Sequence, residues 1–239
     1  MGRTFPGLRM VRLVAPSQDQ PLLRRGSTTG PRYGLLLLLL IATYLLSAFI
    51  DARWINDVQI LAFVLTLLLA LRSTLASKNI ARLAALVVLA GSAVVAGLAL
   101  AQPTDDAVLG VAQIWIGLIL LATVIVIVRR ILASTTVTIQ SIYAALAAYM
   151  VIGLMFAAFY AAMSRLGNGP FFANGSPVNT KTFQYFSFTT LTTLGYGDFT
   201  AASNAGRAVA VMEAMIGQIF LATLVARLVS AFRPSQPRE

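Results

Sequence analysis

Two glycines at alternate positions, Gly195 and Gly197, flank Tyr196 in a short run that begins at Thr193 and ends at Asp198, called here the glycine segment. Successive carbonyls of an ordinary strand point in opposite directions, so a run of carbonyls facing one axis needs left-handed or other rare conformations. Glycine adopts these at little steric cost. Rings of such carbonyls can replace the hydration shell of a cation, and the Thr193 hydroxyl adds an oxygen at the inner end. The spacing therefore predicts cation coordination by backbone oxygen atoms.

A short helix must position this segment. Residues 180–193 are apolar, aromatic and rich in Thr over about three helical turns, too few to cross a bilayer. The turn-rich residues 166–179 before them predict an exposed loop. A short helix and a glycine-rich strand at membrane depth must be buried in protein or line a watery cavity, because unpaired backbone groups cannot face lipid. We therefore predict a re-entrant pore loop, with the negative end of the helix near Thr192 favouring a cation.

The composition excludes most other chemistry. The 239 residues contain no Cys and no His, so disulfides, thiolate nucleophiles, histidine bases and the usual zinc ligands are absent, and no cofactor is expected. Only 11% of the residues are charged, against about 25% in ordinary soluble domains. The net charge of +10 comes largely from Arg residues that flank apolar runs and form no basic face with aromatics. The expected partner is therefore a lipid bilayer and not a nucleic acid.

Six apolar runs predict six membrane crossings. They are residues 33–50, 58–71, 83–104, 107–128, 131–164 and 208–226. The second run has only 14 residues and needs interfacial Trp54 and Ile55 and a snorkelling Arg72 to span. The predicted fold is an all-α membrane protein of six transmembrane helices, with a re-entrant pore helix and selectivity filter between the fifth and the sixth.

The basic residues orient these spans. A cytoplasmic amino terminus places 14 of the 18 Lys and Arg residues inside, as the positive-inside rule requires, and makes both termini cytoplasmic. The predicted division is a disordered basic tail (1–32), a four-helix transmembrane domain (33–130), a pore domain of outer helix, pore helix, filter and inner helix (131–230) and a cytoplasmic tail (231–239). Sixteen Arg against two Lys, with abundant Ala and Leu, suggest a GC-rich bacterium and hence a plasma (bacterial inner) membrane.

The glycine segment, Thr-Leu-Gly-Tyr-Gly-Asp, resembles the signature filter of potassium channels. The string from Tyr185 to Asp198 is similar to the two-helix pore module of bacterial ion channels, and the resemblance covers residues 142–229. It implies a potassium-selective channel that conducts passively and is not an enzyme. It also implies a homotetramer, since a fourfold ring of carbonyls needs four copies of the strand. The filter residues it implies are Thr193, Leu194, Gly195, Tyr196 and Gly197, the carbonyls of the first four binding potassium.

The chain departs from the family pattern at three places. Leu194 stands where Val is commonest, which affects filter rigidity or inactivation more than ion class. The Pro that often follows the filter Asp is absent, and the paired Trp of some members are replaced by Tyr185 and Phe186, which still offer a hydroxyl and an aromatic cuff. We therefore expect Thr192, Asp198 and Tyr185 to support the filter.

Two residues of the last span are candidates for gating. Glu213 is the one acid within a predicted span and lies four residues before Gly217, on the same helix face. Its carboxyl could sense protons or bond to the pore helix through a Thr or through Tyr185. Gly217 lies where many family members have an inner-helix hinge, and it could equally be a close-packing glycine.

The fourth run, 107–128, contains no basic residue, and Arg129 and Arg130 follow it at the cytoplasmic end. These positions predict topological anchors, so we expect a voltage-independent or weakly voltage-dependent pore. Two other functions stay open at this point. A weakly selective cation channel follows if Leu194 and the missing supports loosen the filter. A transporter or accessory membrane protein that retains a pore loop is the other, although related transporters resemble four degenerate copies of the loop and this chain has one intact copy.

Overall fold

The computed structural model describes residues 33–49, 78–133 and 138–231. This part of the chain is all-helical and contains no strand, only an isolated antiparallel bridge between Phe172 and Ala201. Its six helices are α1 (Tyr33–Phe49), α2 (Lys78–Ala101), α3 (Asp106–Ala133), α4 (Ile139–Leu166), α5 (Thr180–Leu191) and α6 (Asn204–Ala231).

Three of these helices are long and apolar enough to cross a membrane, namely α3, α4 and the part Asn204–Arg227 of α6. The apolar parts of α1 and α2 are shorter. Helices therefore occupy five of the six predicted spans. The second predicted span, 58–71, and the predicted tail 1–32 lie outside the described residues, as do residues 232–239 of the other tail.

The predicted start of the fifth span at residue 131 is wrong. Helix α3 continues through Arg129 and Arg130 to Ala133, because charged side chains at a membrane surface do not break a helix. Helix α4 begins only at Ile139, after Thr138. The Thr138 side chain accepts a hydrogen bond from the Ser141 N–H, and the Ser141 hydroxyl accepts one from the Thr138 N–H, which is a capping box. The helix boundary thus depends on capping and not on charge.

Helix α4 is the centre of the described fold. It contacts α1, α3, α5 and α6, whereas α2 contacts α3. Its buried face is rich in alanine, which allows neighbouring helices to approach closely. At Gly153 this approach is extreme, because an added Cβ would lie 2.6 Å from the Phe188 ring of α5. Helix α4 therefore forms the surface against which α5 packs.

Helix α5 has 12 residues and is about 18 Å long, well short of the bilayer core. The Asn179 side chain caps its start by accepting a hydrogen bond of 2.8 Å from the Thr182 N–H. Its buried face meets the loop before it in an aromatic cluster made of Tyr160, Phe171, Phe172, Phe183, Phe186 and Phe199. The cluster fixes the start of α5 and directs its end toward the glycine segment.

Candidate functional site

The last turn of α5 continues directly into the glycine segment. The Thr192 N–H and hydroxyl both donate to the Phe188 carbonyl oxygen, at 3.1 and 2.7 Å. The Thr193 N–H then donates to the Thr190 oxygen at 2.9 Å, and the Gly195 N–H donates to the Thr189 oxygen at 3.1 Å. The amides at the start of the segment are thereby bound to the end of the helix, which fixes the direction in which the segment leaves it.

Every second residue of the segment has a positive φ. The values are 58° at Thr193, 53° at Gly195 and 80° at Gly197, whereas Leu194 and Tyr196 between them have negative φ. Alternation of the sign of φ brings successive carbonyls to the same side of the chain, whereas residues of a uniform strand send them to opposite sides. The left-handed conformation predicted at the two glycines is therefore present, and it begins two residues before the first of them, at Thr193.

Thr193 was not predicted to be left-handed. A β-branched residue in this region is a genuine outlier and costs on the order of 1–3 kcal/mol. Its hydroxyl donates to the Thr192 carbonyl oxygen at 2.7 Å, which helps to hold the conformation. Strain of this kind persists where the surrounding structure determines the backbone, and it is concentrated at functional sites.

Asp198 closes the outer end of the segment and is held through three of its oxygen atoms. The Tyr185 hydroxyl donates to Oδ2 at 2.8 Å, and the Phe199 N–H donates to Oδ1 at 3.1 Å. The Asn174 side chain donates to the Asp198 carbonyl oxygen at 2.8 Å. The hydrogen bond to Asp198 raises the pKa of the Tyr185 hydroxyl above its ordinary value. The structure thus brings together Tyr185 and Asp198, two of the three predicted support residues, and adds Asn174, which no signal in its loop distinguishes.

The loop before α5 is also tied to the chain beyond Asp198. The Ala173 N–H donates to the Thr200 carbonyl oxygen at 2.9 Å, and the Ala202 N–H donates to the Phe171 oxygen at 2.8 Å. These bonds form the isolated bridge, so the outer end of the segment is fixed within one chain.

Leu194 and Tyr196 lie between the left-handed residues of the segment. Within one chain they are 55% and 67% exposed. The Tyr196 ring does stack on the Tyr185 ring, with centroids 6.5 Å apart and planes 7° from parallel. A single chain therefore covers one face of the segment and leaves the rest of these side chains open.

Helix α6 approaches the segment at its inner end. An added Cβ at Gly217 would lie 2.5 Å from the Leu191 carbonyl oxygen, so this glycine permits close contact between α6 and the end of α5. The Tyr149 hydroxyl of α4 donates to the same oxygen at 3.2 Å. The next residue, Gln218, donates from Nε2 to the Thr193 hydroxyl oxygen at 3.4 Å. Gln218 was not among the predicted site residues, although a single amide within an apolar run could have drawn attention to it.

Glu213 is fully buried between α4, α5 and α6. The Tyr160 hydroxyl donates to its Oε2 at 2.6 Å, and the Ser187 hydroxyl oxygen lies 2.5 Å from its Oε1. The predicted bond from Glu213 to the short helix α5 is present, but it is made with Ser187, so the predicted partner residue, a Thr or Tyr185, is wrong. Tyr185 is two residues before Ser187 on α5, so its side chain points to the opposite face of the helix, where it bonds to Asp198.

Residues 148–233 match a protein family model described as "Ion channel". The match runs from the middle of α4 through α5 and the glycine segment to the end of α6. It supports an ion channel family and ion transport as the function, and with the long apolar helices it supports a multi-pass membrane protein. No curated protein and no solved structure matches the chain.

Proposed function

We propose that the chain is a subunit of a potassium-selective channel that conducts passively across the membrane. The observation that carries the proposal is the alternation of φ along the glycine segment, within the region that matches the ion channel family. Potassium is bound by the carbonyl oxygens of Thr193, Leu194, Gly195 and Tyr196, with Gly197 completing the filter. These oxygens replace the hydration shell of the ion.

The proposed supports act at the two ends of the filter. Tyr185 holds the carboxylate of Asp198 at the outer end, and Thr192 caps α5 at the inner end. Helix α5 is the pore helix, and the partial negative charge at its carboxyl end attracts a cation to the inner end of the filter. Gln218, which donates to the Thr193 hydroxyl oxygen, adds a polar group at the inner end of the filter.

The proposed assembly is a homotetramer in the lipid bilayer. One glycine segment provides a quarter of each ring of carbonyls, and closed fourfold symmetry completes it. Two observations support further copies. Leu194 and Tyr196 are largely uncovered in one chain, and only 11% of the most apolar part of α6 is buried, against 67% for α4.

We place six spans in the membrane with both termini in the cytoplasm, in a plasma membrane of bacterial type. The distribution of basic residues supports this orientation. It puts Arg129 and Arg130 at the cytoplasmic end of α3. The ion pair of 2.8 Å between Arg165 and Asp106 then lies at the outer ends of α4 and α3 and is exposed, as a polar membrane surface allows.

Flux under opposed potassium and sodium gradients tests the proposal. The chain reconstituted in vesicles is expected to set a potential that follows the potassium gradient. Gly195→Ala is expected to abolish the flux, because Ala at a φ of 53° is strained by roughly 1–2 kcal/mol in the carbonyl run itself.

Gly175→Ala is the matched control. Gly175 also has a positive φ, 66°, and open space around it, but it lies in the loop outside the filter. This variant is expected to conduct like the wild type. A potential that does not follow the potassium gradient would rule out potassium selectivity. It would leave the weakly selective cation channel, which the exposed side chain of Leu194 supports.

A further inference from the structure

Glu213, Ser187 and Tyr160 form a buried cluster that the proposed conduction path does not use. All three side chains are completely buried within one chain. They come from α6, α5 and α4, so the cluster joins three helices. The side chains bonded to the carboxyl are hydroxyls, and no cationic side chain lies beside it among the described residues. A second titratable group that faces it, also from α4, is Tyr149.

The contacts of Ser187 limit where protons can lie. Its hydroxyl oxygen is 2.5 Å from Glu213 Oε1 and 2.6 Å from the Gly153 carbonyl oxygen. Oxygen atoms this close require a hydrogen between them. A serine hydroxyl carries one hydrogen, whereas a carbonyl and an ionised carboxylate carry none to donate. If Glu213 were ionised, the single Ser187 hydrogen could occupy only one of these two contacts. The two oxygen atoms of the other contact would then face each other with no hydrogen between them.

A protonated carboxyl removes this conflict. Oε1–H then donates to the Ser187 oxygen, and the Ser187 hydroxyl donates to the Gly153 carbonyl. The Tyr160 hydroxyl donates to Oε2, which is the free carbonyl oxygen of the acid. Each of the three short contacts then contains one hydrogen, and no buried charge lacks a counter-charge at membrane depth.

We propose that Glu213 is held as a neutral carboxylic acid that donates its proton to Ser187 and accepts one from Tyr160. The resulting chain of hydrogen bonds runs in one direction, from Tyr160 to the Gly153 carbonyl. Glu213 is therefore a positioning residue, which fixes α5 between α4 and α6 at the level of Ser187. The inference goes beyond the proposed conduction function, because it depends on the buried contacts and not on which ion passes.

Infrared difference spectroscopy of the purified full chain at neutral pH tests the protonation state. Subtracting Glu213→Gln from the wild type is expected to leave the carbonyl stretch of a protonated carboxylic acid, and Ser187→Ala is expected to shift that band to higher frequency. Asp106→Asn is the control for an exposed, ion-paired carboxylate and is expected to remove carboxylate bands instead. Loss of carboxylate bands in Glu213→Gln would overturn the proposal.

Rescue by a neutral side chain tests the positioning role. Gln accepts from Tyr160 and donates to Ser187 as the acid does, so Glu213→Gln is expected to keep the thermal stability and potassium flux of the wild type, with an unchanged pH profile between neutral and mildly acidic pH. Glu213→Ala is expected to lose both stability and flux. If Glu213→Gln is as damaging as Glu213→Ala, or alters the pH profile, the proposal is wrong. The infrared comparison decides the protonation state even if Glu213→Ala does not fold, and it is independent of conduction.

Discussion

At the residue scale, the outer end of the proposed filter is held by contacts between Asp198 and three donors from its own chain. Tyr185 belongs to α5, Phe199 follows Asp198 directly, and Asn174 lies in the loop before α5. Their bonds reach both carboxylate oxygens and the carbonyl oxygen, so the residue cannot rotate without breaking at least one of them. Of these three donors, the Tyr185 hydroxyl is the one that titrates.

Tyr185→Phe is expected to lower potassium flux by roughly two- to fivefold, the size expected for loss of one exposed hydrogen bond. The bond also predicts a pH dependence. Because the pKa of Tyr185 is raised in the folded protein, its contribution is complete below the unfolded value of about 10 and is lost as the pH rises through the higher folded value. Flux of the wild type is therefore expected to fall at strongly alkaline pH.

Flux measured from pH 7 to pH 11 checks this prediction. Tyr185→Phe lacks the hydroxyl, so its flux is expected to be lower than that of the wild type at neutral pH. Its flux is also expected to fall less at alkaline pH, because the part of the fall that Tyr185 causes is absent. Identical alkaline profiles for Tyr185→Phe and the wild type would show that the Tyr185 hydroxyl does not support the filter.

At the element scale, α5 is held from both sides near its end. Helix α4 contributes the Tyr149 hydroxyl, and α6 approaches the same Leu191 carbonyl at Gly217. Of the two roles considered for Gly217, close packing has direct support from the short distance to the Leu191 carbonyl oxygen. Helix α6 is continuous from Asn204 to Ala231. The hinge role stays a prediction.

Gly217→Ala is expected to destabilise the protein by about 1–3 kcal/mol, because the added methyl group collides with a backbone oxygen that cannot move aside alone. Thermal unfolding in detergent measures the change. Gly97→Ala in α2 is the matched control, since an added Cβ there meets nothing within 4 Å. Equal melting temperatures for both variants would contradict the packing argument.

Helix α3 supports a prediction about voltage. Its only basic residues, Arg129 and Arg130, are at its carboxyl end, and the Arg130 guanidinium lies 5.5 Å from the centre of the Tyr33 ring of α1. Each charge that crosses the membrane supplies about 2.3 kcal/mol per 100 mV, and α3 has none placed to cross. Single-channel recording is therefore expected to show an open probability that changes little with voltage. A steep, multi-charge activation curve would contradict this.

At the scale of the whole molecule, the proposed filter needs four copies of the glycine segment, and the number of chains has a measurable consequence. If wild-type and Gly195→Ala subunits mix at random in equal amounts and every subunit must be intact, about one sixteenth of closed fourfold assemblies conduct. Flux from co-expressed subunits measures that fraction. A conducting fraction near one quarter would indicate pairs of chains instead.

The extent to which the sequence predicted this molecule varies with the physical basis of each feature. Long uncharged runs predicted helices in α1, α2, α3, α4 and α6, because apolar length is a property of local sequence. The start of α4 was misplaced, because the pair Arg129 and Arg130 indicates a helix boundary in the sequence more conspicuously than the capping residues Thr138 and Ser141 do. The partners of Glu213 and the left-handed Thr193 depend on contacts between distant segments, which spacing alone does not encode.

The unequal burial of α4 and α6 indicates that folding of a subunit and assembly of subunits depend on different helices. Because the described core of one chain forms around α4, we expect a newly inserted polypeptide to fold alone, and the subunits of the proposed tetramer to meet afterwards through α6 by diffusion in the plane of the membrane. Substitutions on the buried face of α4 are therefore expected to reduce the amount of subunit in the cell. Substitutions on the open face of α6 are expected to leave that amount unchanged and to lengthen the time that subunits of the proposed tetramer spend unassembled.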